Sequence, residues 1–135
     1  MTLSTIERNL TMSFRQAFDA ERMKRDAERR AREELERLRQ EADEARAVEL
    51  YETLAADPGF LSERHLALDR SRYTIVLEHT DFRLRAYFED GLVSVTSADK
   101  RSATSQTGAP TKQAQVESVA AALAVLAQYL ADETL

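Results

Sequence analysis

The amino-acid sequence predicts an α+β protein: a long N-terminal, coiled-coil-like helix, a three-stranded antiparallel meander, and a C-terminal helix packed on that sheet. Three observations carry this expectation. No proline or glycine interrupts residues 4–56, the hydrophobic period falls from about 3.6 residues to two at Tyr73, and a broad apolar stripe resumes at Val116. Asp57-Pro58-Gly59 is a stop signal that divides the chain into a charged helix over residues 1–56 and a small α+β module over 57–135.

The helix has a start signal of its own. Ser4-Thr5-Ile6-Glu7 has capping-box spacing, with Ser4 as N-cap and Glu7 at the third helical position, so helix is expected over 5–56. Alanine, glutamate, arginine, leucine and glutamine dominate this stretch, all good helix formers. Glu21 precedes Arg25, Asp26 precedes Arg30, Glu28 precedes Arg32 and Glu33 precedes Arg37. Each acid lies four residues before its base, the orientation that supports an exposed helix by roughly 0.2–0.5 kcal/mol per pair. Residues 1–46 hold eleven basic and eleven acidic residues, so the net charge of −5 falls entirely on the remainder.

One face of the helix has an apolar seam. Ala31, Leu35, Leu38, Ala42 and Ala45 follow steps of four and three, the spacing of a coiled coil. Carried backward, the register reaches Leu10, Phe14 and Ala17 but places Glu21, Lys24 and Glu28 on the seam. Carried forward, it meets Glu49, while Ala47, Val48, Leu50, Tyr51, Leu54 and Ala55 sit off phase and are expected to pack on the module. Phe14 and Phe18 add an aromatic pair one turn apart. Self-association, as a dimer or higher oligomer, is the expected use of the seam. The basic residues Arg22, Lys24, Arg25, Arg29, Arg30 and Arg32 offer an alternative nucleic-acid contact. It is weakened by the interleaved Glu21, Asp26, Glu28, Glu33 and Glu34, because a phosphate-binding helix normally carries a surplus of positive charge.

Residues 59–72 are expected to form a short helix or an anchored loop through Phe60, Leu61, Leu66 and Leu68. The sheet begins at Tyr73. Tyr73, Ile75 and Leu77 alternate with Thr74, Val76 and Glu78, and Phe82, Leu84, Ala86 and Phe88 alternate with Arg83, Arg85 and Tyr87. Asp90-Gly91 is a strong type I′ turn signal leading to Val93 and Val95. A two-residue turn there sets Phe88 opposite Val93 and Ala86 opposite Val95. A two-residue Thr80-Asp81 turn sets Leu77 opposite Leu84 and Ile75 opposite Ala86. Directly opposed residues share a face, so both registers place the same side chains inward. Arg83, Arg85 and Tyr87 then form a candidate partner surface on the other face, with Glu78 paired to Arg83.

Residues 97–112 read as a flexible loop, and helix is expected from Thr111 or Lys112 to Asp132. Val116, Val119, Ala120, Leu123, Leu126, Ala127 and Leu130 supply a stripe broad enough to require burial on more than one side.

The chain has no cysteine, which excludes thiolate catalysis and cysteine-based metal sites. His65 and His79 lack the spacing of a ligand set. No catalytic, cofactor-binding or metal-binding residues are expected, and no enzyme activity. No apolar run is long enough to cross a bilayer and no secretory signal is evident, so the expected location is cytoplasmic. The function these features suggest is that of a structural or adaptor protein which self-associates and presents its module to a protein partner. The alternative is a nucleic-acid-associated regulator with a dimeric helical arm.

Overall fold

The computed structural model describes residues 12–101 and 109–134. The chain divides into two units, one up to Leu38 and a compact one over Arg39–Leu135. Helix α1 spans Phe14–Ala55. The capping box expected at Ser4 and Glu7 lies outside the described residues, but Met12 and Ser13 are not helical, so the single run expected over 5–56 is corrected to a helix over Phe14–Ala55. The reason is a second capping box. Gln16 N donates to Ser13 Oγ at 3.1 Å and Ser13 N donates to Gln16 Oε1 at 3.0 Å, which satisfies two otherwise orphaned donors and holds Ser13 outside the helix.

Within the first unit, side-chain pairs one turn apart decorate the helix. Glu21 accepts from Arg25 Nε at 3.3 Å, Arg29 lies between Asp26 at 3.6 Å and Glu33 at 3.8 Å, and Arg37 Nε donates to Glu34 at 3.0 Å. The pairing is thus partly i,i+3 where the sequence suggested i,i+4. Both spacings bring helical side chains together, and these exposed pairs contribute little to stability.

In the compact unit, Asp43, Ala47 and Leu50 of α1 are buried, a stripe of spacing four and three that faces the sheet. Asp57 ends the helix and caps the next, α2 (Pro58–Glu63), by accepting from Phe60 N at 3.1 Å. Pro58 occupies a first-turn position, where its missing N–H is harmless. A Schellman closure ends α2: His65 adopts φ 57°, Leu66 N donates to Leu61 O at 2.9 Å and His65 N to Ser62 O at 3.1 Å.

The sheet is a five-stranded antiparallel meander in the order β1-β2-β3-β4-β5, not three-stranded. The strands are β1 (Ala67–Ser71), β2 (Thr74–Glu78), β3 (Phe82–Glu89), β4 (Leu92–Asp99) and β5 (Lys112–Val116). The three interior strands hold the expected registers, with Leu77 opposite Leu84, Ile75 opposite Ala86, Phe88 opposite Val93 and Ala86 opposite Val95. Asp90 (φ 51°) and Gly91 (φ 78°) give the β3–β4 hairpin the left-handed pair that a type I′ turn requires.

Both added strands are edges. β1 offers no alternation, since Leu68 is its only half-buried residue among exposed neighbours. β5 has a helix-tolerant sequence, and the backbone of β4 recruits it through pairs such as Val93 with Val116 and Val95 with Ala114. The final helix, α3, therefore runs Val119–Glu133 rather than from Thr111 or Lys112. Ser118 caps it, accepting from Ala121 N at 3.0 Å. The loop expected over 97–112 is also shortened. Ser97–Asp99 continue β4 and Lys112 opens β5, while residues 102–108 lie outside the described residues.

One sheet face builds the core. Ile75, Leu77, Phe82, Leu84, Ala86, Phe88, Val93 and Val95 pack with Ala47 and Leu50 of α1 and Ala122 and Leu126 of α3. Phe82 and Phe88 are among its largest fully buried side chains. Ion pairs tie the end of α3 to the segment just past β4 and to the start of β5, Arg101 to Glu133 at 2.7 Å and Lys112 to Asp132 at 2.8 Å. Among the described residues, no helix is long and apolar enough to cross a membrane.

Candidate functional site

Three surfaces present chemistry that the core does not consume: the seam of α1, the uncovered face of the sheet, and a groove at the end of the core.

The seam residues Ala31, Leu35, Leu38, Ala42 and Ala45 are all exposed. Leu35 retains 57% and Leu38 48% of their accessible surface, and Phe14 and Phe18 are similarly uncovered. Ala42 and Ala45 stay open although their near neighbours Asp43 and Ala47 are buried. Packing within the compact unit therefore uses a different side of the helix from the seam. Of residues 14–38 only Asp26 is even half-buried.

The basic residues occupy the same helix. Arg22, Arg25, Arg29 and Arg32 share a face by spacing, but Arg25 and Arg29 are matched to acids of their own helix, and Arg30 Nε donates to Asp26 O at 3.4 Å. Lys24 lies on the seam with Glu21 and Glu28.

On the open sheet face, alternation along β3 sets Arg83, Arg85 and Tyr87 in one row. Glu78, directly opposite Arg83, accepts from its Nε at 2.6 Å and Nη2 at 3.2 Å, and Lys100 Nζ also reaches Glu78 and donates to His79 O at 2.6 Å. The hydrogen bond from Arg83 holds the Glu78 carboxyl below its ordinary value, against the opposing effect of burial and with further help from Lys100. Arg83 is thus a structural partner of Glu78. Arg85 is exposed, and among the described residues it takes part in no ion pair, which leaves it the free cation of the row. Tyr87 keeps 38% of its surface and borders a small hollow of about 220 Å³ with Glu89, Asp90, Leu92, Ser94 and Gln115. The negative charge of Glu89, assisted by loss of solvent and by Asp43 and Asp90, raises the phenol above its ordinary value. The row supplies one guanidinium and one neutral phenol, suited to binding a carboxylate or a protein surface.

A second concavity, larger than the hollow beside Tyr87, is apolar. A groove of about 550 Å³ opens between the end of α1, α2 and α3, floored by Leu77 and walled by Leu54, Phe60, Leu61, Leu123 and Leu130. Its polar groups are mostly occupied. Thr53 donates to Glu49 O at 2.9 Å, Thr134 to Leu130 O at 2.8 Å, and the Asp57 carboxylate caps α2. Arg64 lies 5.8 Å from the Phe60 ring centroid. Such a lining shelters apolar groups and offers few directed hydrogen bonds.

Asp43 is the polar residue that sequence reasoning missed. Only 6% exposed, its carboxylate accepts from Asp90 N at 2.9 Å and Gly91 N at 3.0 Å, so α1 grips the tip of the β3–β4 hairpin. Arg46, one turn on, donates to Glu117 O at 2.6 Å and secures the approach to α3. The usable signal was the alignment of Asp43 with Ala47, Leu50 and Leu54. His79 is likewise structural: its ring stacks on Phe82 with centroids 4.4 Å apart, and its Nδ1 accepts from Asp81 N at 3.0 Å. No three histidine, aspartate or glutamate side chains converge as a metal site requires, among the described residues.

Compared with known protein families, curated proteins and solved structures, the chain matches none.

Proposed function

We propose that this chain is a structural or adaptor protein that self-associates through the exposed seam of α1 and presents its compact unit to a protein partner. The observation that carries this reading is the exposure of Leu35 and Leu38 at coiled-coil spacing, on a helix whose other side already serves the core. Fully burying a leucine side chain is worth roughly 1.5–3 kcal/mol, so a partner that covers both contributes more than the exposed ion pairs of the same helix. The balanced charge of residues 1–46 suits pairing between copies, because neither copy brings a net repulsion. Arg85 and Tyr87 are the side chains of the compact unit through which a partner is met.

The test is the mass of the full chain in solution, measured by light scattering over a hundredfold range of concentration. A dimer or larger species is expected, reduced to monomer by Leu35→Asn with Leu38→Asn. A monomer at every concentration overturns the proposal.

A further inference from the structure

We infer that the segment Phe14–Leu38 pairs with a second copy of itself in antiparallel orientation, about a two-fold axis at the level of Asp26. This inference rests on the self-association proposed above and adds its orientation and register. The seam positions of this segment are Phe14, Ala17, Glu21, Lys24, Glu28, Ala31, Leu35 and Leu38, in unbroken steps of three and four, so each can occupy a core layer of a two-helix pair. The pattern is large and apolar at both ends and charged in the middle. Reversing one copy about Asp26 sets Phe14 against Leu38, Ala17 against Leu35, Glu21 against Ala31 and Lys24 against Glu28. Each central cation then meets an anion of the other chain, twice over by symmetry, and each leucine meets an aromatic or a small residue.

The parallel, in-register arrangement sets every residue against its own copy. Glu21, Lys24 and Glu28 then form three consecutive layers of like charge at the centre, where charge is least well hydrated. What the parallel form gains in exchange lies on the flanks, where Glu34 would face Arg39 and Glu41 would face Arg46 of the other chain. These groups are already engaged at home: Glu34 accepts from Arg37, Arg46 holds Glu117 O, and Arg39 and Glu41 have interactions within the chain. Flank pairs are also solvent-exposed and weak. Lys24 and Glu28, by contrast, form no ion pair within the chain among the described residues. They stand one turn apart with the base first, the less favourable order for pairing in one helix. In the reversed pair, Arg25 meets its own copy on one flank, but each Arg25 already has Glu21 at 3.3 Å.

The absence of cysteine from the chain allows a direct test by disulfide trapping. Full-length Ala17→Cys and Leu35→Cys proteins, one with a size tag, are mixed and oxidised. The antiparallel register predicts the covalent heterodimer in several-fold excess over either homodimer. Like-with-like crosslinks in a protein that light scattering shows to be dimeric overturn the orientation while leaving self-association standing. A dimer that forms neither crosslink overturns the register, and a monomer throughout overturns both readings. A second measurement avoids cysteine. Lys24→Glu is expected to raise the dimer dissociation constant about tenfold or more, and adding Glu28→Lys in the same chain to restore it. In the parallel form the single change only replaces one like-charge layer by another, so an unchanged dissociation constant overturns the inference.

Discussion

Two stretches of the same helix meet opposite fates. From Phe14 to Leu38 every residue except Asp26 is exposed, whereas within the compact unit Asp43, Ala47 and Leu50 are almost fully buried. Helix propensity does not distinguish them, since both are rich in alanine, glutamate, leucine and arginine. What differs is the neighbour. The second stretch presents its stripe to a sheet that needs a cover and a hairpin tip that needs an acceptor. The first presents a seam whose leucines keep about half of their surface open to water. A good helix former and an apolar stripe therefore define an element, and the partner available to the stripe defines its role.

The largest expected effect lies on the buried side. Phe88→Ala in the sheet should cost about 3–5 kcal/mol, and Leu50→Ala in the helix about 2–5 kcal/mol, measured by urea unfolding of the full chain under conditions where it is monomeric. Leu35→Ala under the same conditions should change stability by less than about 0.5 kcal/mol. A comparable loss for Leu35 and Leu50 would erase the distinction between the two stretches.

Asp43→Ala tests the polar half of the contrast. It leaves the N–H groups of Asp90 and Gly91 without their acceptor, so a loss of about 1–3 kcal/mol is expected, together with faster amide exchange confined to the β3–β4 turn. Asp26→Ala, on the exposed stretch, is expected to leave that exchange unchanged.

The smallest effect concerns Glu78 on the open sheet face. Its carboxyl is held below the ordinary value of 4.5, chiefly by the hydrogen bond from Arg83. The pair therefore stabilises the fold fully above about pH 4.5, and that contribution is lost as pH falls through the lowered folded value. Both side chains keep about a third of their exposure, so solvent screening limits the contribution to roughly 0.5–1 kcal/mol. Glu78→Gln should remove that much at pH 7 and nothing at pH 2, measured as denaturation midpoints at the two pH values.

The legible and illegible parts of the fold separate on physical grounds. Tyr73 to Val95 was readable because one face of the interior strands excludes water, so the alternation is strong and a one-residue slip would expose it. The two turns confirmed each other through the residues they opposed. β1 is unreadable because an edge strand needs no such pattern, and β5 because its alternation of Ala114 and Val116 with Gln113 and Gln115 is short and weakly apolar. Leu68 alone is half-buried in β1, and Gln113 and Gln115 of β5 point to solvent, so backbone pairing with β2 and β4 determines both. Ser13 with Gln16 sets the start of α1 at Phe14, a capping pattern as legible in the sequence as that of Ser4 with Glu7, which lies outside the described residues. In the candidate surfaces, the row Arg83, Arg85 and Tyr87 followed from alternation. That Glu78 and Lys100 occupy the Arg83 end, while Arg85 forms no ion pair among the described residues, needed the fold.

Local chemistry settled much of this protein: the helical run of α1 and the spacing of its seam, the registers of the interior hairpins, and the left-handed turn at Asp90-Gly91. Each depends on residues within a few positions of one another. Tertiary structure alone decided that Asp43 would cap a turn 47 residues away, that residues 67–71 and 112–116 would become strands, and that an apolar groove would open between α1, α2 and α3. These depend on backbone donors and apolar walls supplied by distant parts of the chain, and the segments that receive them carry at most a short, weak pattern of their own, as β5 does.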